Sequence, residues 1–137
     1  LAQALAVTDR VRWYGEYPDE DIPLRMAESH FLVLPSVTSE EMFGLAAVEA
    51  MAAGRPIITT DLPSGVREVN SHGHTGLVVP LRDPDALAQA MSKLAADPGL
   101  RAKMGAAGRA EVAARFTRRQ MAEAHIALYE RILADRR

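Results

Sequence analysis

Ser39-Glu40-Glu41-Met42-Phe43-Gly44-Leu45-Ala46-Ala47-Val48-Glu49-Ala50-Met51-Ala52-Ala53-Gly54 reads as a loop that passes through a glycine into an alanine-rich helix. Gly54 stops that helix and Pro56 prevents it from resuming. Continuous apolar runs lie on either side, Phe31-Leu32-Val33-Leu34-Pro35 before the loop and Ile57-Ile58-Thr59-Thr60 after the helix. Runs without polar alternation belong to strands covered on both faces. A strand, a helix and a second strand in that order predict a right-handed crossover between parallel neighbours, and hence an α/β fold built on a Rossmann-like parallel sheet with flanking helices.

Working outward, Gly76-Leu77-Val78-Val79-Pro80 predicts a further buried strand after a Pro/Gly loop. Upstream, Val11-Arg12-Trp13-Tyr14-Gly15 is a short β-type run, followed by a Tyr17-Pro18-Asp19 turn and a helical stretch from about Asp21 to Ser29. Leu1-Ala2-Gln3-Ala4-Leu5-Ala6 reads as the tail of a helix, and a first residue that is not Met leads us to expect a fragment. From Asp83 onward the pattern is helical. Asp83-Pro84 supplies a cap and a first-turn proline for a helix to about Ala96, and Asp97-Pro98 repeats the device. Thr117 caps a third helix, on which Met121, Ala124, Leu128 and Ile132 form an apolar stripe. No linker or repeat divides the chain, so residues 1–137 read as one domain, with a β/α sheet region over 1–82 and a helical C-terminal tail over 83–137.

The composition narrows the class of partner without naming one. A chain of 137 residues buries roughly two thirds of its unfolded surface. A formal charge of -2 offers no basic field for nucleic acid. Absence of cysteine rules out a disulfide framework and is compatible with a cytoplasmic setting, and no apolar run approaches the roughly 20 residues of a membrane span.

The chemistry concentrates in the opening stretch. Its spacing places Glu41 in the loop before the helix and Glu49 in the second turn, with free backbone N–H groups expected near Phe43, Gly44 and Leu45. A helix start carries about half a positive charge and unpaired donors, so it receives phosphate oxygens, and glycine lets the backbone come close. An ionised carboxylate only accepts hydrogen bonds, so Glu49 can take both hydroxyls of a ribose and Glu41 those of a sugar. Glu49 stands among Ala46, Ala50 and Ala53, which suggests a buried carboxylate in need of a partner. Read singly, each of these residues is also an ordinary surface acid or helix start. Ser39 reads as a turn cap, Glu68 as a lesser candidate for the far side of a cleft, and His72-Gly73-His74 as loop residues without a third placed ligand, so no metal site is expected. Arg118-Arg119 and Arg136-Arg137 read as a solvated face and a frayed end.

The segment resembles the Glu-x7-Glu signature of the retaining group 1 (family 4) glycosyltransferases, whose GT-B fold faces two Rossmann-like domains across a cleft. Phe31 to Ser36, Glu49 to Ile58, Gly65-Val66-Arg67-Glu68-Val69 and Thr75 to Pro80 are similar to further family segments. His30 and Ser64-Gly65 depart from the family pattern, away from the two glutamates. The resemblance implies the donor-binding C-terminal half of such an enzyme, with a last helix crossing back to an acceptor-binding N-terminal domain that these residues do not include. It implies transfer of a hexosyl unit with retention from a UDP-, GDP- or ADP-sugar to a glycan, lipid or small-molecule acceptor, with no metal or cofactor, in the cytoplasm or at the inner membrane face. Glu41, at the family offset from Glu49 where Glu40 is not, is implied as the catalytic contact to the donor sugar; Glu41, Phe43, Gly44, Leu45 and Glu49 are implied as donor-binding. Charge developing on the leaving diphosphate asks for a positioned cation, and none stands near the motif, since Arg55 lies beyond Gly54. The chain alone is therefore expected to be inactive. A non-catalytic nucleotide-sugar module and a GT-B epimerase remain as alternatives.

Overall fold

The computed structural model describes residues 1–16, 18–38 and 40–135; Tyr17, Ser39 and Arg136-Arg137, each read above for a role, lie outside the described residues. Three strands, β1 (Leu32–Leu34), β2 (Ile57–Thr60) and β3 (Gly76–Val79), form a parallel sheet in the order β1-β2-β3. The helices are α1 (Ile22–Glu28), α2 (Leu45–Ala52), α3 (Val66–Val69), α4 (Pro84–Ala96), α5 (Pro98–Arg115) and α6 (Arg118–Ala134). The parallel α/β sheet with a helical tail is the architecture expected from the sequence.

Strand register explains why the apolar runs are continuous. Leu32 pairs with Ile57, Val33 with Ile58, and Ile58 with Leu77. Successive side chains point to opposite faces. Leu32, Leu34 and Ile57 therefore pack under α2 with Ala47, Ala50, Met51 and Val69. Val33, Ile58, Leu77 and Val79 pack under α4 with Ala90, Leu94 and Met104. Helix α5 serves both layers, contributing Leu100 and Met104 to the second cluster and Val112 to the first.

Close backbone approach sets the glycines of the core. A Cβ on Gly76 would lie 2.0 Å from the Ile57 carbonyl oxygen and 2.8 Å from Asn70 Oδ1. Asn70, which is 4% exposed, donates from Nδ2 to Thr59 Oγ1 at 2.9 Å and to the Leu77 carbonyl at 3.0 Å, and accepts from Thr75 Oγ1 at 3.1 Å. This network satisfies the polar groups that close the sheet at β3.

The Asp-Pro signals act as read. Asp83 accepts from the Ala86 N–H at 2.9 Å and Asp97 from the Leu100 N–H at 2.8 Å. Thr117 and Gln120 form a complete capping box at the start of α6.

One expectation fails at the N-terminal end and another holds. Residues 11–15 form no strand, although Val11 has extended dihedrals, because a strand needs a ladder partner and among the described residues none pairs with this run. Trp13 is 81% exposed there. Leu1 to Ala6 end as a helix tail does: the Leu5 N–H donates to the Leu1 carbonyl at 3.0 Å, and the Val7→Ala2 and Ala6→Gln3 backbone bonds, both 3.1 Å, close a Schellman cap with Ala6 at φ 52°.

Candidate functional site

The β1–α2 connection leaves the carboxyl end of β1, where open α/β sheets bind ligands. Gly44 is the residue just before α2, buried and at φ 80°, a left-handed conformation that glycine adopts without steric cost. Its Cβ position is bounded by Val66 and Leu34 side chains at 3.3 and 3.4 Å, so the turn sits tightly on the sheet.

Glu41 lies in the loop and Glu49 is the fifth residue of α2, which puts it in the second turn. The structure changes two details of the expected site. The Gly44 N–H is not free, because Glu41 Oε1 accepts from it at 2.9 Å. Glu41 thus stands in for an anion at the helix start and is half-buried there. The N–H groups of Phe43 and Leu45 have no acceptor among the described residues.

Glu49 is exposed rather than buried. The face α2 buries carries Ala47, Ala50 and Met51, spaced i, i+3 and i+4, and Glu49 falls on the side turned away from it. The alanines at 46 and 53 flank that core face and do not mark it.

Exposure gives Glu49 a different setting. It lines a cavity of about 600 Å³ between α1 and α2, with Ile22, Pro23 and Met26 as an apolar wall, Asp19 at one side and Arg109 at another. None of these neighbours was legible as part of the site. Arg109 arrives from α5 because Gly108 packs against Met51 and Gly105 against the Gly54 carbonyl, where added Cβ atoms would sit 3.1 and 2.0 Å from their neighbours. The small-residue pair at 105 and 108 was the available signal.

Cations near α2 are engaged at its far end. Arg109 Nε donates to the Ala52 carbonyl at 3.2 Å, and Arg55 donates from Nη2 to the Ala27 carbonyl. Eight residues of helix separate that end from Gly44 by about 12 Å. Among the described residues, neither reaches the anion position at the helix start.

The lesser candidates resolve into structure. Glu68 is exposed and its carboxylate lies 3.8 Å from Arg115. His72 Nδ1 lies 2.9 Å from the Val78 N–H, which ties the loop to β3. Arg119 pairs with Glu123 at 2.7 Å on the exposed side of α6. No group of three metal-ligating side chains occurs among the described residues, and none of their helices is long and apolar enough to cross a membrane.

Comparison with known proteins gives one consistent result. The family model described as glycosyl transferases group 1 matches residues 1–111. The D-rhamnosyltransferase WbpZ of Pseudomonas aeruginosa is 37% identical over 117 residues, which is 85% of this chain and 31% of that protein. Sucrose-phosphate synthase from Thermosynechococcus elongatus superposes with a TM-score of 0.88 and 34% identity, covering 98% of this chain and 33% of that one. Anabaena HepE, solved in complex with UDP and glucose, superposes with a TM-score of 0.81 and 26% identity over 92% of this chain and 34% of that one. The chain spans about a third of the length of these proteins.

Proposed function

This chain belongs to the group 1 glycosyl transferases, and we propose that it forms the donor-binding part of an enzyme that transfers a hexosyl unit, with retention, from a nucleotide diphosphate sugar to an acceptor. The observation that carries this reading is the arrangement of Glu41 and Glu49 on either side of the Gly44 turn, with Glu49 on the wall of the α1–α2 cavity. The diphosphate lies at the α2 start against the N–H groups of Phe43, Gly44 and Leu45. Glu49 holds the ribose diol, and the base stacks on the apolar wall of Ile22, Pro23 and Met26. A phosphate at the turn competes with Glu41 for the Gly44 N–H. Donor binding therefore releases the Glu41 carboxylate toward the hydroxyls of the sugar, the catalytic contact assigned to it.

The HepE complex with UDP and glucose supports the choice of ligand class. The remote placement of Arg55 and Arg109 supports the expectation that this polypeptide binds donor but turns over little by itself, because neither of them reaches the charge on the departing diphosphate. No cofactor has a role in this scheme. The same observation favours, as a second reading, a non-catalytic nucleotide-sugar module; robust transfer by a full-length protein excludes it.

Calorimetric titration with UDP, GDP and ADP, and with their 2′-deoxy forms, tests the assignment. Glu49→Ala is expected to weaken the preferred diphosphate by about tenfold, or about 1.4 kcal/mol. The 2′-deoxy form, which keeps only its 3′ hydroxyl for Glu49, should bind the wild-type chain less well and lose less affinity on Glu49→Ala than the diol does. A variant that binds all ligands as the wild type does removes Glu49 from the site.

A further inference from the structure

We propose that Phe116 is a positioning residue for the Met42–Gly44 turn, and that through it the start of α6 is mechanically tied to the phosphate-binding turn; this rests on the donor site proposed above. The turn is braced from two sides. On one, the Gly65 N–H donates to the Met42 carbonyl at 2.7 Å, and a Cβ on Gly65 would lie 2.6 Å from that oxygen and 3.1 Å from the Phe43 ring, so the two backbones touch. On the other, the rings of Phe43 and Phe116 meet edge to face, with centroids 5.8 Å apart and planes at 77°.

Phe116 is well placed to hold its end of this contact. It is half-buried against the α2 core cluster, and its N–H donates to the Val112 carbonyl at 3.0 Å as the last hydrogen bond of α5. The Arg115 guanidinium stands over its ring at 5.0 Å. Arg115 is in turn held by Glu111 at 2.5 Å and approaches Glu68 at 3.8 Å on α3, the helix that follows Gly65. One cation thus links Phe116 to α3, the helix that follows the Gly65 brace. Thr117, the next residue, opens the capping box of α6. A reorientation of α6 about this junction has to move Phe116, and with it Phe43 and the N–H groups that the diphosphate needs. Glu49, further along α2 and on its outer side, is not part of this linkage.

The phosphate and ribose subsites should therefore separate in a Phe116 variant. Phe116→Ala and Phe116→Tyr in this chain are titrated with UDP, GDP and ADP and, as phosphate-free counterparts, with uridine, guanosine and adenosine, followed by NMR amide shifts. Phe116→Ala is expected to weaken the preferred diphosphate about three- to tenfold, in proportion to one lost aromatic pair, and to leave nucleoside affinity within about twofold. Phe116→Tyr should restore the diphosphate affinity. Amide shifts of Phe43 to Leu45 should move in Phe116→Ala without any ligand. Equal losses for diphosphate and nucleoside would reduce Phe116 to a general packing residue and overturn the proposal. If the wild-type chain binds no nucleotide, the donor-site reading fails, and the ligand-free shifts alone decide the linkage: unmoved Phe43 to Leu45 signals overturn it, moved signals sustain it.

Discussion

Helices α2 and α6 are built on opposite terms. Helix α2 has eight residues, no side-chain cap and a left-handed glycine before it, yet Ala47, Ala50 and Met51 are buried. Helix α6 has seventeen residues and a full capping box, yet it buries none of them. Met121, Ile126, Tyr129 and Leu133 on α6 are each more than half exposed. Local signals secure α6, whereas tertiary packing secures α2, which is the usual source of stability for a short helix. The difference has a functional side. A serine or threonine cap takes up an N–H of the first turn, while a helix start held in place by packing can leave its N–H groups for a ligand, and the Phe43 and Leu45 groups are of that kind.

The sharpest way to break this contrast is to strike the sheet on which α2 rests. Gly76→Ala drives a methyl group against the Ile57 carbonyl, a backbone atom that cannot rotate away. The expected loss is more than about 3 kcal/mol, enough to threaten folding of the chain, and a urea midpoint reads it. A midpoint close to wild type would mean that β2 and β3 do not approach as described.

Asn70→Ala should cost less. It removes a side chain rather than inserting one, and leaves the Leu77 carbonyl and the Thr75 hydroxyl without their buried partner. A loss of about 2 kcal/mol in the same denaturation experiment is expected. Asn70 closes the β2–β3 edge but touches neither glutamate, so nucleotide affinity in the surviving folded fraction should hold.

The sequence made some of this legible and hid the rest for identifiable reasons. The continuous runs at 32–34, 57–60 and 76–79 and the Asp-Pro and Thr117 caps are local patterns, and each produced the element expected. Val11 to Tyr14 has equally good strand chemistry, but a strand is a relation between two segments, and a local pattern carries only one of them. The alanines beside Glu49 suggest burial by composition alone, which does not say which face of the helix is buried. Periodicity would have been the better guide, since Ala47, Ala50 and Met51 define the core stripe and exclude position 49. The spacing of Glu41, Gly44 and Glu49 survives as a motif, whereas Asp19, Ile22, Met26 and Arg109 join the cavity only through the packing of α1, α2 and α5. No local pattern encodes that meeting, apart from the two glycines that let α5 approach.

The smallest expected effect is the most discriminating for the comparison. Thr117→Ala deletes the hydroxyl that accepts the Gln120 N–H and breaks the capping box at the head of α6. Such a cap is worth about 1 kcal/mol to the helix it starts. Because α6 buries no residue, that energy is local: amide exchange over the first turns of α6 should speed up about fivefold, as 1 kcal/mol implies at room temperature, while the urea midpoint of the sheet stays where it was. The opposite pattern, a midpoint that falls as far as it does for Asn70→Ala, would show that α6 is packed on the rest of the chain in solution. It would also predict that losing the cap disturbs Phe116, one residue away, and through it the Phe43 turn, so the same sample examined for Phe43 to Leu45 amide shifts tells whether the two helices are independent or joined.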